Sequence, residues 1–342
     1  MTITTRTRAR AAAALAVALA CAATNAPPYR LLKTVTLGAD GGWDYLVVDP
    51  EARRLYIARD TRVQVLDADT LKPVGDIAGV DGAHGVALAP ELGRGFATAG
   101  RADRVVIFDL KTLKVLKNVK TGRKPDAVVY EPTTRRVLAF DGDGREATVI
   151  DAVGGGVVAT LPLGGKPEFA VADGRGTVYV NSEDTSELLA LDVKTPKVRS
   201  RFPLKPCLEP TGLALDAAHD LLFSVCGNQT MAVVDAASGK IIATPPIGAR
   251  PDAAAFDAAG RALSSNGGGT LTVVARGADG RWSSVQTVAT RRGARTMALD
   301  PRTGRLFLVT ADFGPAPAPT PARPRPRARM IPGTFVLLVY GS

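Results

Sequence analysis

The chain has few of the residues that carry chemistry on their own. Its 342 residues include two histidines, three cysteines, four methionines and two tryptophans, and aromatics make up only 5%. With only His84 and His219, a Ser-His-Asp triad would have to use His84. The serines nearest to it by the reading below, Ser182, Ser264 and Ser265, stand in no motif, and there is no G-x-S-x-G elbow, phosphate loop, CxxCH or HExxH. The cysteines form no CxxC pair, which argues against a closed zinc site. Long hydrophobic runs are missing too: the ten residues Ala11–Ala20 are too few to span a bilayer, and no longer run follows.

Glycine (35) and proline (24) are abundant instead, against 46% apolar residues, as in many short strands joined by turns. The segment Thr121–Gly164 shows the unit: DAVVY, RRVLAF, ATVID and VVATLPL, four strand-like runs between turn-rich breaks. First strands start at Asp44, His84, Asp126, Glu168, Thr211, Asp252 and Arg295. Five positions on stands Asp49, Ala89, Glu131, Asp173, Asp216, Asp257 or Asp300. Third strands end at Asp67, Asp109, Asp151, Asp192 and Asp235, the first three in steps of 42 residues. Such a period with four strands per unit predicts an all-β, seven-bladed β-propeller with four-stranded blades. Tyr29–Gly38 reads like the fourth strands, as in Lys240–Gly248, and the last repeat ends after its third strand. The N-terminal strand is therefore expected to complete the last blade and close the ring, which removes open edges.

The repeated entries Gly122-Arg-Lys-Pro-Asp126, Gly164-Gly-Lys-Pro-Glu168 and Gly248-Ala-Arg-Pro-Asp252, with the hVhD strand ends, resemble the YVTN-repeat propellers, and within them the YncE-like exported bacterial proteins. The resemblance spans nearly all of Tyr29–Tyr340; the literal Tyr-Val-Thr-Asn is replaced by Val178-Tyr-Val-Asn181 at its nearest approach. It implies a propeller, a family that contains binding proteins, and DNA as a partner of some relatives.

Residues 1–25 read as a signal peptide: Arg6, Arg8 and Arg10, the apolar run, then small residues. Ala18-Leu19-Ala20-Cys21 is a relaxed lipobox, so lipid at Cys21 is the one membrane attachment foreseen. Export to the periplasm or outer cell envelope follows, with residues 29–342 as one propeller and a monomer as the expected state. Loss of the three arginines would lower the net charge from +10 to +7.

First strands rich in small residues suit the crowded axis of the ring. Their starting residues, Asp44, His84, Asp126, Glu168, Thr211, Asp252 and Arg295, point to the upper mouth of the channel as candidates for binding a small ligand or a divalent cation. The same residue types also start strands for backbone reasons, because aspartate caps turns. Cys207 and Cys226 are expected to meet at the upper face of blade five as a structural disulfide. The last blade carries a Pro/Arg-rich loop, residues 315–333. Its arm of Arg323, Arg325, Arg327 and Arg329 reads either as a lid over the mouth or as a solvated loop. Arg53, Arg54, Arg94, Arg135, Arg136, Arg175, Arg261 and Arg305 gather on the lower face, where nucleic acid would bind if anywhere, although aromatic platforms are missing there. The leading expectation is a noncatalytic module of the cell envelope that binds a small ligand or an envelope protein. The alternatives are a metal-assisted hydrolase or lactonase-like enzyme at the channel mouth, and a nucleic-acid binder using the basic face.

Overall fold

Each hVhD ending does two jobs, because its aspartate closes a strand and caps the turn that follows. The Asp67 carboxylate accepts hydrogen bonds from the Thr70 amide (2.7 Å) and hydroxyl (2.8 Å), and Asp109 with Thr112, Asp192 with Thr195 and Asp235 with Ser238 repeat the arrangement. These bonds to the ionised form hold all four carboxyls below their usual range. The acids five positions into six of the seven repeats, Ala89 being the exception, cap the first turn in the same way: Asp49 accepts from the Ala52 amide (2.9 Å), Glu131 from Thr134 (2.7 Å) and Asp300 from Arg302 (3.0 Å). The sequence period is thus a period of turn caps.

The structure, a computed structural model, describes residues 26–38, 41–318, 320 and 328–342. The expected signal peptide and Cys21 lie outside these residues, as do Arg323, Arg325 and Arg327. Seven four-stranded antiparallel sheets form, so the seven-bladed propeller read from the sequence is the observed fold. Blade one comprises Leu46–Asp49, Arg54–Arg59, Arg62–Asp67 and Pro73–Ala78. The first strands of blades two to seven are Ala83–Ala89, Pro125–Glu131, Pro167–Ala172, Pro210–Asp216, Pro251–Phe256 and Met297–Leu299. Arg30–Thr36 pairs with Val336–Gly341 and is the outer strand of blade seven, so the chain closes its own ring.

The apolar core lies between blades. Seven hydrophobic clusters occupy the seven blade–blade seams; one, for example, packs Leu138, Phe140 and Val149 of blade three against Val178, Val180 and Leu189 of blade four. Cys207 and Cys226, both fully buried at blade five, have Cα atoms 5.6 Å apart and are disulfide-bonded.

The lower-face arginines are busy. Arg54 donates to the Leu110 and Lys111 carbonyls, Arg94 to Ala152 and Val153, and Arg136 to Val193 and Lys194, in each case on the next blade. Arg53 bridges Asp69 (2.6 Å) and Asp300 of blade seven (2.8 Å), and Arg261 is buried against Asp257 (2.7 Å). The sequence shows these arginines only as a basic surface open to nucleic acid; for these five, neighbouring carbonyls and carboxylates take guanidinium donors.

The clasp is anchored by Tyr29. Its ring packs in the seam of blades six and seven and under the Arg261 guanidinium, 4.5 Å from the ring centroid, while its hydroxyl donates to Asp257 Oδ2 at 2.9 Å. Tyr29→Ala should cost about 3–5 kcal/mol, and Tyr29→Phe about 1–3 kcal/mol for the missing bond to a buried carboxylate. Urea unfolding of both variants checks this, and an unchanged midpoint in Tyr29→Ala would show that the strand is no clasp.

Candidate functional site

Five of the seven ring residues are placed by a blade beside them. The Thr296 hydroxyl donates to the Asp44 carbonyl (2.9 Å), Thr98 to the Asp126 carbonyl (2.6 Å) and Ser265 to the Arg295 carbonyl, while the Asn181 amide donates to the Thr211 carbonyl (2.8 Å). All four of these polar side chains are fully buried. The Tyr45 amide adds a bond to the His84 carbonyl at 3.1 Å. Blades approach so closely here that a Cβ on Gly212 would sit 2.5 Å from the Asp252 carbonyl oxygen. Side chains that start on these strands therefore have fixed origins.

Five of the seven form one continuous line of alternating charge around the mouth. Arg295 Nη1 lies 2.7 Å from Asp252 Oδ2 and its Nη2 lies 3.5 Å from Asp44 Oδ1. Asp44 Oδ2 is 2.6 Å from His84 Nδ1, and that nitrogen is 3.3 Å from Asp126 Oδ1. Glu168 stands next in line, held by Lys166 Nζ at 2.6 Å, and the same ammonium pairs with Glu183. Thr211 stays out of the network; its hydroxyl reaches the Val225 and Pro251 carbonyls, so its role is structural. Lys166 and Glu183 also belong to the mouth, although the sequence singles out only the strand-starting residues as ring candidates. The G-x-K-P-E entry holds the lysine two residues before the ring position, which was the available signal.

The floor was also unforeseen. Tyr45 of blade one and Phe169 of blade four stack with ring centroids 4.6 Å apart, and the Tyr45 hydroxyl donates to the Asp252 carbonyl of blade six at 2.8 Å. Residues of blades one, four and six meet only on the axis. The sequence reading held that bulky side chains would clash there, but small first strands leave an axial gap that two aromatic rings fill. The channel becomes a bowl with charged walls over an aromatic base.

Burial leaves three carboxylates of this bowl, Glu168, Asp252 and Asp126, under-compensated, whereas at Glu183 burial is outweighed by the Glu168 hydrogen bond and Lys166, which hold it low. Burial first, then repulsion from Asp126 and a hydrogen bond with Glu183, push Glu168 up to about 8 despite Lys166. Asp252 rises to about 7 by burial, which Arg295 opposes and Asp44, Asp126 and Glu183 reinforce. Burial also raises Asp126, against the His84 charge and with that of Asp44. For His84 burial disfavours the imidazolium, but the Asp44 hydrogen bond and the Asp126 and Asp44 charges outweigh it and raise the imidazole.

The serines considered for a triad are committed elsewhere. Ser264 donates to Asn266 (2.8 Å), Ser265 to backbone carbonyls, and Ser182 accepts from Thr185 (2.8 Å); all three are fully buried. His219 lies in the first turn of blade five, 2.7 Å from Asp216 and mostly exposed. Of the arm, Arg329 is described: its carbonyl accepts from the Gly314 amide (2.9 Å) at the base of the insertion, so the lid reading falls outside the described residues.

The four raised groups share one sign. Folded carboxyls at about 7 and 8, a raised Asp126 and a raised His84 hold protons that the unfolded chain releases at the ordinary carboxylate and imidazole values. Their contribution is complete at about pH 4 and is lost as pH rises through about 8. Melting temperature should therefore fall between pH 5 and pH 8.5, and more gently in Glu168→Gln/Asp252→Asn. A wild-type melting temperature that rises over this span contradicts the assignment.

No protein-family model matches the chain, and no curated protein matches it. Among solved structures it is similar to Kuenenia stuttgartiensis hydrazine synthase, with 16% identity and a TM-score of 0.68 over 80% of this chain and 94% of that one. The likeness shows a shared β-propeller fold.

Proposed function

We propose that this propeller is a noncatalytic binding module of the cell envelope whose ligand enters the upper mouth and brings positive charge to it. One observation carries the reading: the Tyr45–Phe169 stack lies on the axis beneath a ring in which Asp44, Asp126, Glu168, Asp252 and Glu183 face Arg295, Lys166 and His84. Buried carboxylates that resist ionisation are stabilised by an incoming cation, whereas an anion would meet added repulsion. Polar groups that converge from several elements on one recess are the usual form of a small-ligand site. The resemblance to YncE-like YVTN proteins, the signal-like residues 1–25 and the bonded cysteines support an exported protein. The buried, engaged serines favour binding over acyl transfer at His84, and the committed lower-face arginines weaken the nucleic-acid alternative.

A short diamine, 1,4-diaminobutane, is a suitable probe, with succinate as the anionic counterpart. Calorimetry should show one diamine per chain, weakened at least about tenfold in Glu168→Gln/Asp252→Asn, with no succinate binding; tenfold corresponds to about 1.4 kcal/mol. Succinate binding without diamine binding would overturn the reading.

A further inference from the structure

We propose that Asp44, His84 and Asp126 together bind one divalent first-row transition-metal ion, an inference that rests on the upper mouth being the binding face. Three donors converge from the first-strand starts of three consecutive blades. One ligand atom of each lies within 4.8 Å of the other two. His84 Nδ1 is 2.6 Å from Asp44 Oδ2 and 3.3 Å from Asp126 Oδ1. Ligands at about 2.0–2.2 Å from a metal stand roughly 3 Å apart when they are neighbours in its coordination shell. The two separations bracket that spacing, so the ion fits with small side-chain rotations.

The scaffold around the donors is stiff. The Asp44, His84 and Asp126 carbonyls each accept a hydrogen bond from an adjoining blade, as described above, which fixes the Cα positions from which the three side chains reach inward. The second Asp44 oxygen faces Arg295, a partner that orients the carboxylate and leaves Oδ2 toward the histidine. Asp126 is the least satisfied of the three, because its carboxylate has the 3.3 Å imidazole contact and accepts no hydrogen bond among the described residues. The packing of His84 is equally confined: a Cβ on Gly100 would stand 2.9 Å from Cδ2 and 3.1 Å from Nε2, so that edge of the imidazole lies flat on backbone.

The donor set selects the ion. Two carboxylates neutralise a dication. An imidazole nitrogen favours zinc, cobalt or nickel over magnesium, calcium and manganese, which prefer oxygen donors. Side-chain exposures of 11% for Asp44, 27% for His84 and 22% for Asp126 place the trio at the wall of the bowl, with room on the solvent side for water or a ligand atom. Remaining coordination positions would thus open on the same space that the diamine probe enters.

The test uses the full chain without a metal-affinity tag, stripped with EDTA and titrated with Zn²⁺, Co²⁺ and Ni²⁺, with Mn²⁺, Mg²⁺ and Ca²⁺ as oxygen-seeking controls. Calorimetry and elemental analysis after desalting should give one zinc or cobalt per chain. Binding should weaken at least about tenfold in His84→Gln and in Asp126→Asn and change less than about threefold in His219→Gln, which alters the exposed histidine of the blade-five turn. Co²⁺ should also show a ligand-field spectrum that His84→Gln abolishes, and melting curves confirm that each variant is folded. Wild type that keeps no transition metal, metal retained undiminished in His84→Gln, or a preference for calcium would each overturn the proposal. Diamine binding without metal binding leaves the bowl reading in place and removes only this inference. Loss of both removes both.

Discussion

Seven innermost strands must share one axis, and the structure depends on how that crowding is tolerated. Small residues allow the approach, as at Gly212, where an added Cβ would meet the Asp252 carbonyl oxygen at 2.5 Å. Proximity alone would leave carbonyls turned toward a neighbour that cannot hydrogen-bond them. The buried side chains of Thr98, Asn181 and Ser265, near the ends of second strands, donate across the seam to the next blade's ring residue. Each bond satisfies a buried acceptor and also fixes where a mouth side chain begins.

That rigidity explains the electrostatics. In a mobile mouth, like charges would move apart and be rehydrated. Here Asp126 is pinned by Thr98, Glu168 is tied to Lys166, and the Tyr45–Phe169 stack lies on the axis beneath them. Repulsion and desolvation therefore remain in the ligand-free protein as raised carboxyl pKa values, countered in part by Arg295, Lys166 and the imidazole. The strain of unlike demands is stored in side-chain charge, with the backbone held by ordinary hydrogen bonds.

The fold was legible because its sequence signals are local. An aspartate capping a turn with a Thr or Ser three residues later needs no knowledge of distant chain, and Asp67–Thr70, Asp109–Thr112, Asp192–Thr195 and Asp235–Ser238 repeat it around the ring. The ring positions were legible for the same reason, since they begin strands. What each does was not. Thr211 reads like its neighbours but turns to backbone carbonyls, and Arg54, Arg94 and Arg136 look like free surface charge until the next blade's carbonyls are in place. The floor was hidden most completely, because Tyr45 and Phe169 stand in different repeats and meet only when the ring closes.

Departures from the repeat, rather than the repeat itself, define the mouth. Capping acids recur because most blades use the same turn, and a binding function imposed on them would compete with that need. The ring position is freer: it begins a strand, its backbone is held by other residues, and blades fill it with aspartate, histidine, glutamate, threonine or arginine. A pseudo-symmetric scaffold has no other way to make an asymmetric site than to vary the residues whose side chains the fold does not use. Histidine occurs at one ring position, between two aspartates, and arginine at another, on the far side of Asp44. Blades one to three and six to seven thereby become chemically distinct sectors of a mouth whose backbone is nearly the same in each.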